Sequence, residues 1–124
     1  MKLHQTENAA LNTVTGYGNN YVDINHIRYE WSIIVQPEGP ICKWHVSSFD
    51  FLTVDHFDLL VNSMPEVVIF GSGIHLRFPS PTLIFNLIIN RIGVETMDFQ
   101  AACRTYNILI SEGRNVIAAL LIEH

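Results

Sequence analysis

The sequence predicts a single-domain α/β fold. The expected form is a mixed β-sheet with an N-terminal antiparallel meander, followed by α-β-α-β-α-β, with parallel strands and helices packed on the sheet. Three observations lead there. The chain has 124 residues, 48% hydrophobic and 15% charged, which suits one compact core and excludes a disordered chain. Its first half carries short β-prone runs separated by turn residues. Its second half changes to helical periodicity interrupted by short apolar runs, the pattern of strands covered on both faces.

Residues 1–12 read as a flexible tail and 13–124 as the domain. Thr13–Tyr17 and Tyr21–Ile24 are short strands, joined at Gly18-Asn19-Asn20, a turn cluster able to hold positive φ. Ile27–Val35 reads as one stronger strand, stopped by Pro37 and Pro40 around Gly39. Lys43–Val46 adds a further short strand. Thr53–Met64 is the first helix, with Phe57, Leu60, Val61 and Met64 at helical spacing and Pro65 as its stop. Glu66–Phe70 is a buried strand closed by Gly71-Ser72-Gly73. Ser80 as N-cap and Pro81 as first residue open a second helix, which runs to about Ile92 with Gly93 as its stop. Val94–Met97 is a short strand, and Asp98 caps a third helix that runs to Glu112 and ends at Gly113. Asn115–Leu121 is the last strand. Alternation of strand and helix implies right-handed crossovers and a parallel segment.

Charge and motif content narrow the function. Seven Lys and Arg against twelve Asp and Glu leave a net charge of −5, which disfavours a nucleic-acid binder. The first residues lack an apolar stretch of the signal-peptide kind, and the longest apolar runs stop short of the ~20 residues of a membrane helix, so a soluble, cytoplasmic protein without membrane insertion is expected. Cys42 and Cys103 form no CxxC and read as free thiols. The six histidines show no HxH or HExxH spacing, and no ligand set for haem, iron–sulfur or flavin appears, so no cofactor or metal is expected.

One stretch carries a resemblance. Met97-Asp98-Phe99-Gln100-Ala101-Ala102-Cys103-Arg104-Thr105-Tyr106-Asn107, then Glu112-Gly113-Arg114 before an apolar strand, resembles the signature of a small α/β family of bacterial and archaeal proteins of unknown function. Gly71-x-Gly73 with Pro79 after a buried strand continues the likeness, which spans roughly Thr13–Leu121. A mitochondrial relative of that family is an assembly factor for respiratory complex I (NADH:ubiquinone oxidoreductase). The resemblance implies a mixed-sheet α/β fold and a scaffold or assembly role, with respiratory-enzyme subunits as the implied partners; it implies no reaction. Phe99 departs from the small or polar residue usual after the capping Asp98, and the second helix is more apolar than is usual in the family.

Two candidate sites follow from the residues themselves. The loop after the buried strand and the cap of the third helix both lie at the C-terminal edge of parallel strands, where ligands gather in open α/β sheets. Gly71, Ser72, Gly73, His75 and Arg77, with Asp98 and Arg104, form an anion or small-molecule pocket on this reading. The plainer alternatives are glycines needed for a tight turn, Asp98 as a helix cap and Arg104 in structural pairing with Asp98 or Glu95. Leu76 occupies the place of the third glycine of a GxGxxG. Ala102, Cys103, Tyr106 and Ile110 share one helical face and read as core, which makes Cys103 inert. No Ser-His-Asp triad can be argued. The second site is a surface. On the second helix Thr82, Asn86 and Asn90 form a polar stripe; Ile84, Phe85, Ile88, Ile89 and Ile92 form one apolar stripe, and Leu83 and Leu87 another. One stripe suffices to cover a sheet. The other, assigned here to Leu83 and Leu87, is expected to meet a protein partner or a second copy in a homo-oligomer, unless neighbouring elements cover it. A non-catalytic binding protein is therefore the leading expectation, and an enzyme or ligand sensor using the pocket is the alternative.

Overall fold

The computed structural model describes residues 11–124; most of the expected tail lies outside the described residues. Two residues of that stretch are described, and one of them, Asn12, is buried, its amide donating to the carbonyls of Gln36 and Gly39.

Val14–Tyr17 (β1), Val22–Ile24 (β2) and Ile27–Tyr29 (β3) form an antiparallel three-stranded sheet. Ile33–Val35 (β4), Cys42–Lys43 (β5), Val67–Gly71 (β6), Gly93–Met97 (β7) and Val116–Leu120 (β8) form a mixed sheet in the order β5-β4-β8-β6-β7. β6 is parallel to both β7 and β8, whereas β4 is antiparallel to β8 and to β5. Helices are Val54–Asp58 (α1), Pro81–Ile89 (α2) and Phe99–Ser111 (α3), with single 3₁₀ turns at Phe49–Phe51 and Leu59–Ser63.

Alternation along the strands divides the core. Val67, Ile69, Val116, Ala118 and Leu120 point to one face, where α3 and the meander pack. Val68, Phe70, Ile117, Ala119 and Leu121 point to the other, against α1, α2 and Trp44. Three layers result. Trp44 is the hub of the second core: its ring meets Phe57 and Phe70 edge-on, and its indole N–H donates to the His56 carbonyl at 3.0 Å. His56 Nδ1 accepts from the Thr53 N–H, which leaves Nε2 as the donor to the His45 carbonyl.

Several boundaries move. The run from Ile27 to Val35 is two strands in two sheets. β3 is largely exposed while every residue of β4 is buried, and Glu30-Trp31-Ser32 carries the chain from one sheet to the other. Positive φ falls not at Gly18–Asn20 but at Asn25 and His26, the two-residue turn between β2 and β3. Gly18 serves packing instead, since a Cβ there would lie 2.4 Å from the Tyr21 ring. The strand expected at Lys43–Val46 is β5, two residues long and one position earlier. The first helix is one α turn followed by a 3₁₀ turn, closed by Met64 at φ 47°. The second helix ends before Gly93. Arg91 at φ 60° terminates it, with Arg91 N–H bonded to Ile88 O and Ile92 N–H to Leu87 O, and Gly93 already belongs to β7.

Candidate functional site

The strands β6 and β7 deliver their following loops to the same edge of the sheet. Gly71 and Phe99 meet there under tight constraint: a Cβ on Gly71 would come within 2.9 Å of Ala102 Cβ, so this glycine lets α3 approach the strand end. Ser72 is fully buried. Its hydroxyl donates to the His75 carbonyl at 2.7 Å and accepts from the Arg77 N–H at 2.9 Å, folding the loop on itself. Gly73, at φ 95°, accepts the Phe99 N–H on its carbonyl, and a Cβ there would meet Arg77 and Glu123.

Arg77 is engaged. One guanidinium nitrogen donates to the Ser72 carbonyl and to Glu123 Oε1, each at 2.6 Å, and the group lies over the Phe49 ring at 4.8 Å. Glu123 also accepts the Phe49 N–H at 2.7 Å. Burial pushes the Glu123 carboxyl up, but the hydrogen bonds from Arg77 and Phe49 outweigh it and hold it below the ordinary carboxylate range. His75 is exposed.

Of the seven pocket residues read from sequence, the structure brings two to one cavity. Gly73 and Asp98 line a small space of about 230 Å³ together with Asn19, Ile74, Phe99 and Gln100. Asp98 caps α3, its carboxylate accepting the Ala101 N–H at 2.9 Å. The pairing of Arg104 differs from both expected partners: its guanidinium donates to the Tyr17 hydroxyl at 3.3 Å. Cys103 is buried, and burial pushes its thiol up to about 12, far from a thiolate at neutral pH.

The polar residues of the signature segment have a shared role that sequence reasoning missed. Gln100 reaches Asn19, Arg104 reaches Tyr17, and Asn107 bonds both main-chain groups of Val14, donating to its carbonyl at 2.8 Å and accepting its N–H at 2.9 Å. Their spacing of four and three places them in one row along α3. Tyr106, fully buried, donates its hydroxyl to the Asn12 carbonyl at 2.8 Å. The segment thus clamps the meander to the helix. The available signal was the i, i+4, i+7 spacing of amide and guanidinium groups beside a buried stripe.

The surface on α2 is also corrected. Leu87 is 1% exposed and packs in the core, with Leu83 half-buried beside it, so these two cover the sheet rather than meet a partner. The outward face is Phe85, Ile88 and Ile89, at 58%, 54% and 56% exposure. Pro81 lies one turn before Phe85 on the same face. The polar stripe turns towards α1, where Asn86 donates to Asp58 at 2.9 Å. Ile74, Leu76 and Phe78, on the strap that feeds this helix, are likewise exposed. No residue of α2 carries a charge.

Layer order, mixed sheet and crossover helices define a small three-layer α/β domain in which, among the described residues, no group of three or more metal-ligating side chains converges. The chain belongs to the family described as "Protein of unknown function (DUF498/DUF598)", which matches residues 14–121. It is similar to a solved protein of Bordetella parapertussis, 41% identical, with a TM-score of 0.88 over 92% of this chain and 98% of that one. A 13 kDa major membrane protein of Francisella tularensis is 32% identical over 53% of this chain and 54% of its own length. NADH dehydrogenase [ubiquinone] 1 alpha subcomplex assembly factor 3 of Bos taurus is 28% identical over 98% of this chain and 66% of its own length. The chain thus spans from about half to just under two thirds of these two curated relatives. No helix among the described residues is long and apolar enough to cross a membrane.

Proposed function

We propose that this chain is a non-catalytic protein-binding factor of the assembly type, and that the outward face of α2 is where its partner sits. The observation that carries the reading is the exposure of Phe85, Ile88 and Ile89 on one uncharged helix face. An apolar stripe left in water is characteristic of a surface that is covered in the working state. The relationship to a complex I assembly factor supports the same reading and makes subunits of the NADH:ubiquinone oxidoreductase the first partners to seek. Affinity capture of the tagged protein from its own cells, alongside Phe85→Asp and Ile89→Asp, tests it. Recovery of those subunits by the parent chain, with loss of most of the signal in both variants, is the expected result. Equal recovery by parent and variants, at unchanged stability, removes α2 as the partner surface.

A further inference from the structure

At the sheet edge opposite β7, a second cavity of about 480 Å³ opens beside β4 and β5. That volume lies within the range of small-molecule sites, ~300–1,000 Å³. Its floor is largely apolar: Trp44, Val46 and Ile122 are buried, and Ser32 has its hydroxyl closed onto the backbone of Ile122. One wall is Trp31, a residue 46% exposed, whose ring meets Tyr29 edge-on at 6.2 Å. Lys43 lies over the same ring at 5.4 Å. The facing wall carries His45 and Ser47, both exposed.

Of the polar groups around this floor, the His124 ring is tied to the Glu30 carbonyl, and three side chains are left free to act. Lys43 has no ion pair among the described residues, and neither the His45 ring nor the Ser47 hydroxyl has a hydrogen-bond partner among them. No Asp or Glu side chain lines the cavity, although the chain as a whole carries a net charge of −5. A largely apolar floor, an indole wall and unpaired donors of positive or neutral character suit one ligand class. We infer that the Trp31–His45 cleft binds a small organic anion with a flat apolar body, the body lying against Trp31 and Val46 and the anionic head meeting Lys43 and Ser47.

The inference is independent of the partner surface on α2, and its test keeps the two apart. Isotope-labelled protein is titrated with naphthoate, and separately with naphthamide as the uncharged analogue. The expected result is a saturable shift of the Trp31, Lys43, His45 and Ser47 amide signals and of the Trp31 indole N–H. Naphthamide is expected to bind at least about tenfold more weakly, as is naphthoate to Lys43→Gln, the loss of one charge-assisted contact. Phe85→Asp leaves the titration unchanged. The inference is overturned by shifts that fail to saturate at millimolar naphthoate, by shifts that map to Phe85–Ile89, or by equal affinity for the amide.

Discussion

Helices α2 and α3 occupy the two faces of the same sheet and use their outward residues in opposite ways. Both are crossovers between strands, both start on a side-chain cap (Ser80 and Asp98), and both end in the same turn, with paired bonds to the second and third residues from the end. On α3 the residues beside the buried stripe are Gln100, Arg104 and Asn107, and each holds the meander. On α2 the corresponding surface is Phe85, Ile88 and Ile89, and it stands exposed, holding no other element among the described residues. A helix face that a domain needs for its own architecture is recognisable by polar atoms with named partners. A face kept apolar in water is recognisable by the lack of them.

The largest expected effect contrasts the two sides of α2. Leu87→Asp buries a carboxylate in the Trp44 core and should destabilise the fold by more than about 4 kcal/mol, enough to unfold it in part at room temperature. Ile89→Asp should change the urea midpoint by no more than the equivalent of ~0.5 kcal/mol. A large loss in the second variant would show that the outward face is packed and would end the contrast. On α3, Asn107→Ala strands the Val14 N–H and C=O, and denaturant unfolding should report a loss of about 2 kcal/mol. Arg104→Ala removes one exposed bond and should fall within ~0.5 kcal/mol. The smallest effect sharpens the comparison of the two ends. The α3 turn places Gly113 at φ 77°, whereas the α2 turn places Arg91 at φ 60°. Arg91→Gly should therefore raise stability by roughly 0.5–1 kcal/mol in the same assay, the left-handed conformation being costly for a residue with a Cβ.

How far these features can be read from sequence follows from the same residues. Ser80-Pro81, Asp98 and Gly113 are local signals, and each stands where it reads. The sequence points to Gly93 as the end of α2, because glycine is the usual left-handed residue, whereas Arg91 closes the turn two residues earlier. The orientation of α2 is not legible locally: both of its broad faces are apolar, so its own periodicity does not choose between them. The choice is made by Ile92, which packs in the same buried cluster as the Leu87 whose carbonyl receives its N–H. At the sheet edge, Arg77 read as a charge available to a ligand because its partner, Glu123, lies 46 residues away. The split of Ile27–Val35 escaped for a related reason: β-branched residues announce extended backbone but not which sheet receives it.

The strand order has a consequence for synthesis. β8, the last strand of the chain, is the middle strand of the mixed sheet, between β4 and β6. While the protein emerges from the ribosome, β4 and β6 therefore each wait with an open edge, and neither layer of the core has its central wall. Closure of the mixed sheet is confined to the moment after residue 120 becomes available. Until then the nascent chain displays unpaired, strongly apolar strands, the state in which aggregation competes most directly with folding.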